Sequence, residues 1–180
     1  ERDGPEAMAL LASQHFNIEV GLALRMDAWA GAQYWQGAVD EPLANLDTLL
    51  ERCEVAVVGI DGGGLDDLFG LAVLGRCRTT RDWLLWSRAW AHQDVFRRRK
   101  DISERLRDFV AEGTLTICED PTQDIREVVA AIVRVRDAGL LPEKHAVGLD
   151  PVGDAQIIDA LDAVGISGAM LAPVFQGYKL

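Results

Sequence analysis

The sequence predicts a mixed α/β fold: a three-stranded antiparallel meander, then alternating helices and strands that place helices on both faces of one sheet. Three observations carry this. Residues 55–90 hold three apolar, β-prone runs separated by short polar turns. Residues 97–164 hold three stretches with helical spacing of apolar residues, each closed by a glycine. Short apolar runs sit between and after those helices, as alternating units of a layered sheet require.

The elements follow in order. Gly4 to about Trp35 reads as helical, with Leu10, Leu11, Phe16, Val20, Leu22 and Met26 at roughly helical spacing. Gln36 to Leu46 is broken by Gly37 and Pro42 and reads as a connector, and Leu46–Arg52 as a short helix. A boundary near Glu54 therefore separates a helical linker, residues 1–54, from a sheet domain, residues 55–180. Val55–Ile60, Phe69–Leu74 and Trp83–Trp90 are the three meander strands. Alternation along the third puts Trp86 and Trp90 on one face, in the core, and Trp83 on the other, where exposure is expected.

Arg97–Glu112 reads as one charged amphipathic helix with Ile102, Leu106, Phe109 and Val110 on one face. Thr114–Cys118 is a short strand. Ile125–Ala138 is a helix that buries Ile125, Val128, Val129, Ile132, Val133 and Val135. Ala146–Leu149 is a brief strand ending at Asp150-Pro151, Asp154–Val164 a helix, and Gly168–Val174 a last strand. The ribonuclease H-like fold has this order of elements.

Composition bounds the rest. The chain has 180 residues, 49% of them hydrophobic and 26% charged, which suits one packed globular domain with a short extra element. No apolar run approaches the roughly 20 residues of a membrane helix. The start, ERDGPEAM, has neither an initiator Met nor a signal-like apolar core, and reads as a piece of a longer chain. Cys53, Cys77 and Cys118 lack metal-ligand spacing and read as buried thiols. A formal charge of −11 argues against strong nucleic-acid binding by this segment alone. Two local basic clusters, Arg76/Arg78/Arg81 and Arg97–Lys100, and the negative charge that an acidic metal site carries, soften that objection.

The residues most suggestive of chemistry are strand-end carboxylates. The first strand runs into Asp61, three glycines follow, then Asp66 and Asp67. Asp150 ends the strand after the meander. If that strand lies beside the first and parallel to it, Asp61 and Asp150 leave the same edge of the sheet. Two-metal phosphodiester hydrolysis needs carboxylates that hold cations roughly 4 Å apart, and Mg²⁺ suits oxygen ligands. The plainer readings are an acidic hairpin turn at Asp61 and an Asp-Pro turn at Asp150. His92 reads as a surface or capping histidine, and Ser87 and Ser103 lack a nucleophile elbow. Arg97, Arg98, Arg99 and Lys100 are candidate phosphate contacts, or simply a solvated helical turn.

Longer strings carry a resemblance. GIDGGGLDDLFGLAVLG resembles the first nuclease strands of bacteriophage terminase large subunits, which often carry D-x-x-x-x-x-D-L; Asp61 and Asp67-Leu68 match it. LDPVGDAQIIDAL looks like the family's D-P-x-x-x-x-Q motif, and VFQGYKL like its glutamine-glycine segment. FNIEVGLALRMDAW is similar to the linker between ATPase and nuclease domains. The resemblance implies a ribonuclease H-like, divalent-metal-dependent endonuclease domain that cuts concatemeric viral DNA during packaging, in the cytoplasm of a bacterial host.

Asp61, Asp150 and Asp67 would then be catalytic, metal-binding carboxylates, with Mg²⁺ or Mn²⁺ in a two-metal site. Asp66 is the alternative partner to Asp67, and Asp154 could approach from its helix, where the helix dipole also accounts for an acid. Implied partners are double-stranded viral DNA and, in the full assembly, the terminase ATPase domain, the small subunit and the portal. The family's third acid is expected beyond Leu180. No G-x-x-x-x-G-K-[ST] loop occurs, so this segment is not the ATPase motor. A non-catalytic docking segment of the same protein is the competing reading. An actin-like or sugar-kinase nucleotide-binding domain ranks third, because its second glycine-rich phosphate loop has no counterpart around LDPVG.

Overall fold

A six-stranded sheet with strand order β4-β3-β2-β1-β5-β6 organises the chain in a computed structural model, which describes residues 30–62, 67–150 and 155–174. Two compact units are present, residues 1–41 and 42–180. In the first, the described part is a helical turn, Ala32–Trp35, running into a 3₁₀ turn, Gln36–Ala38. The helix expected from Gly4 falls almost wholly outside the described residues.

The second unit begins with α1 (Leu46–Arg52), capped by the Asn45 side chain, which accepts from the Asp47 N–H at 3.0 Å. Leu46 and Leu49 of α1 are buried in the main core. The meander is β1 (Cys53–Asp61), β2 (Phe69–Cys77) and β3 (Trp83–His92), paired antiparallel in sequence order. β4 (Leu115–Cys118) then pairs parallel to β3, β5 (Val147–Leu149) parallel to β1, and β6 (Leu171–Pro173) parallel to β5. The sheet is therefore mixed, and its fold class is the ribonuclease H-like one the sequence predicts.

One face carries the main core. Val58 and Ile60 of β1, Leu71 and Val73 of β2, and Trp86 and Trp90 of β3 meet α1, α4 (Gln123–Asp137) and α5 (Ala155–Ala163). α4 buries Val128, Val129, Ala131, Ile132 and Val135, while Ile125 and Val133 of its expected apolar face pack against the same core only partly buried. Gly139 and Gly165 follow α4 and α5 with φ of +71° and +80°, the left-handed geometry that ends helices and that glycine adopts without strain. Arg134 pairs with Asp47 and the Arg136 guanidinium donates to the Val164 carbonyl, which ties α4 to α1 and to the end of α5. The Trp86 indole donates to Ala44 O at 3.1 Å and the Trp90 indole to Glu127 Oε2 at 2.6 Å, so both buried rings keep a polar partner.

The opposite face is covered at one side only. Ala91, Val95, Leu106 and Leu115 form a small second cluster beneath α2 (Asp94–Arg98) and α3 (Ser103–Ala111). These two short helices replace the single helix expected over Arg97–Glu112. Val95 of α2 and Leu106 of α3 are both buried in this cluster. The break between the two helices falls at residues 99–102. Phe109 and Val110 are 36% and 39% exposed and do not join the buried cluster. At the chain's other end, the expected strand Gly168–Val174 opens as a 3₁₀ turn, Gly168–Met170, where Gly168 has φ +58°, and only then becomes β6.

Gly75 sits where α1 meets the sheet. A Cβ there would lie 2.3 Å from Cys53 Sγ and 3.2 Å from Leu49 Cδ2. Gly75→Ala is therefore expected to destabilise the protein by about 1–3 kcal/mol, read by urea denaturation. Gly59→Ala, on the other face with nothing within 4 Å of the added methyl, should stay within about 1 kcal/mol of the parent.

Candidate functional site

The parallel pairing of β1 and β5 sets Val58 opposite Val147 and Gly59 opposite Gly148. Carried forward two residues, the same register sets Asp61 level with Asp150, at the carboxyl ends of neighbouring strands about 4.8 Å apart. Alternation decides the face. Ile60 and Leu149 are buried in the main core, so Asp61 and Asp150 belong to the other, open face. Asp61 is exposed and Asp150 half-buried.

The same alternation lays a row of small residues beside the acids. Gly148, Gly59, Ala72 and Ser87 are consecutive register partners across β5, β1, β2 and β3. They floor a trough of about 590 Å³ that also takes in Asp61 and Gly70, with Phe109, Thr114 and Leu115 on one flank and Val174 on the other. This trough lies beyond what periodicity alone reveals, because its flanks come from α3, β4 and the segment after β6. The signal within the sequence was the glycine two residues before each strand-end aspartate, Gly59 before Asp61 and Gly148 before Asp150.

Asp67 stands at the same edge, three residues before Gly70, the register partner of Asp61. It is exposed, and its Oδ1 accepts the Leu68 N–H at 2.8 Å. Asp66 and Asp154 lie outside the described residues. Among the described residues, no three His, Cys, Asp or Glu side chains converge as metal ligands. Two level carboxylates are hard oxygen donors of the kind Mg²⁺ and Mn²⁺ take.

His92 leaves the end of β3 at this edge but belongs to the other face, alternating with Trp90. Its Nε2 lies 3.1 Å from Asp124 Oδ2 at the start of α4, with both side chains mostly buried. It ties β3 to α4 through a side-chain pair and caps no helix, in place of the surface or capping role expected of it. Trp83 is 63% exposed while Trp86 and Trp90 are buried, as alternation requires. Arg76 stacks over Trp83 at 4.8 Å from the ring centroid, and Arg78 donates to Cys53 O at 2.6 Å, at the sheet end far from the acids. Arg97 and Arg98 close α2, where cations favour the helix dipole. Arg97 pairs with Asp94 at 3.0 Å and Arg99 with Asp101 at 3.7 Å, while Lys100 is exposed.

No protein-family model and no curated protein matches the chain. Among solved structures, its fold is similar to that of the HK97 bacteriophage large terminase. The likeness is one of fold. The superposition has a TM-score of 0.52 at 22% identity and covers 76% of this chain. It covers 29% of the terminase chain, so the present chain corresponds to less than a third of that protein's length. Among the described residues no helix is long and apolar enough to cross a membrane.

A double-mutant cycle of His92→Ala and Asp124→Ala should give a coupling of about 0.5–1.5 kcal/mol by urea denaturation. A coupling indistinguishable from zero would mean that the contact adds nothing to holding β3 against α4.

Proposed function

We propose that this chain contains a divalent-metal-dependent endonuclease domain of a phage terminase large subunit, acting on concatemeric double-stranded viral DNA. The observation that carries the reading is the level register of Asp61 and Asp150 on neighbouring parallel strands, on the open face of a sheet with a terminase fold. The sequence strings around Asp61, Asp150 and VFQGYKL point the same way.

Asp61 and Asp150 would hold Mg²⁺ or Mn²⁺, with Asp67 as a supporting carboxylate. The bound cation supplies Lewis-acid activation of water and stabilises the leaving oxygen. The chain's own contribution is positional: rigid strand ends fix the two carboxylates, and the small residues beside Asp61 leave room for a phosphodiester backbone against the sheet. Arg97, Arg98, Arg99 and Lys100 are the proposed phosphate contacts. The ATPase domain, small subunit and portal are the proposed partners of the whole protein, in the cytoplasm of the bacterial host. The sequence places the boundary between linker and nuclease near Glu54; because α1 and Cys53 are buried in the sheet's core, the proposed division puts residues 42–180 in the nuclease domain and only residues before 42 in the linker.

A second reading, a non-catalytic docking domain, is favoured by the exposed apolar side chains of Val55, Leu74, Trp83 and Leu85 on the open face. A titration with Mn²⁺ or Mg²⁺ separates the two, following melting temperature and supercoiled-plasmid nicking together. The nuclease reading expects stabilisation by the cation and nicking, both lost in Asp61→Asn and in Asp150→Asn, with a rate loss of about 100-fold or more. A melting temperature indifferent to either cation, in a chain that otherwise folds, would leave the docking reading standing.

A further inference from the structure

Cys53 begins β1 and Cys77 ends β2, and the two are register partners. Both are free thiols buried in the same core cluster. Antiparallel partners come in two kinds, and the kind without direct backbone bonds brings its side chains closer. Hydrogen bonds identify which kind this is. The Arg78 N–H donates to Arg52 O at 2.9 Å, a bond that flanks the pair, while the Cys77 N–H turns away to Asp82 O at 2.9 Å. Cys53 and Cys77 are therefore a close, non-hydrogen-bonded pair. Cys53 Sγ already leans over β2, at the place a side chain on Gly75 would occupy. A different χ1 rotamer would carry it from Gly75 toward Cys77, two residues along the same face.

We propose that Cys53 and Cys77 form an oxidisable dithiol, which hydrogen peroxide converts to a disulfide across the start of β1 and the end of β2. The Cys77 thiolate attacks a peroxide oxygen, the O–O bond breaks, and the departing hydroxide takes a proton to leave as water. Cys77 is then a sulfenic acid. The Cys53 thiol attacks that sulfur, the S–S bond forms, and the hydroxyl leaves with the thiol proton as a second water. Two electrons pass from the sulfurs to the peroxide.

The surroundings assign the order of these steps. Hydrogen bonds from the Thr80 side chain and backbone and from the Thr79 backbone lower the Cys77 thiol from 9.0 to about 7. Burial, together with the charge on Cys77, raises the Cys53 thiol, so it stays protonated as the second reactant. Cys118 is the internal control: burial and the charges of Asp124 and Glu127 push its thiol to about 11. The new bond would pin the start of β1, the strand that ends at Asp61, and it needs nothing from the acid edge.

The test treats the native 180-residue chain with hydrogen peroxide over a pH series, then alkylates the remaining thiols after denaturation and maps the peptides by mass. The expected product has lost both thiol hydrogens, carries a Cys53–Cys77 linked peptide, leaves Cys118 to be alkylated, and returns to the dithiol with dithiothreitol. Its rate should rise through about pH 7 as Cys77 ionises. Cys118→Ser should keep the link and Cys77→Ser abolish it. Should Cys77→Ser fail to fold, the parent's peptide map decides alone. Three alkylatable thiols after treatment, or oxidation confined to sulfinic acid or intermolecular links, would overturn the proposal.

Discussion

The parallel pairing of β1 with β5 is the contact on which the rest depends. It is short, with β5 only three residues long, yet it joins the meander to β5 and, through β5, to β6. Val58 N–H donates to Ala146 O at 2.8 Å and Ala56 N–H to Leu140 O at 2.9 Å, so the segment entering β5 is fixed to β1 as well as the strand itself. A slip of one residue here would turn Val147 and Leu149 out of the core and bring Gly148 in. Burial of those two side chains therefore locks the register, and the register sets Asp61 and Asp150 level.

The two faces of the sheet are unequal, and the inequality has consequences. α1, α4 and α5 all cover one face, where the large side chains interlock. The other face has α2 and α3 over β3 and β4 alone. Its centre is left with glycine, alanine and serine near the acids and with exposed Val55, Leu74, Trp83 and Leu85 toward the opposite end. Bulk on this face increases with distance from Asp61, so open space lies where the carboxylates are.

Charge follows a similar economy. Arg134, Arg136 and Arg81 tie elements to one another, and Arg97 and Arg126 pair with Asp94 and Asp120. Much of the chain's basic character is thus satisfied internally, and the net charge of −11 is not offset by one continuous basic surface among these residues. Each such exposed pair contributes little by itself, but together they fix where the arginines point.

Period-two alternation made the strands legible, including which of Trp83, Trp86 and Trp90 would be exposed, because each strand has one face that must be buried. Helical spacing likewise identified α4 and its apolar face, and glycine marked where helices stop. The carboxylates at Asp61 and Asp150 were visible as strand ends for the same local reason. Three things were decided only in three dimensions. The chain breaks between α2 and α3, with Val95 and Leu106 buried in one small cluster, a non-local packing that a locally acceptable helical pattern does not register. The trough takes its floor from four strands and its flanks from segments far apart in sequence. The partnership of Cys53 with Cys77 depends on the pairing class of two strands, which backbone hydrogen bonds settle and residue spacing does not. Local sequence determines which face a side chain prefers; which side chains meet is determined by packing between elements, whose energies are collective.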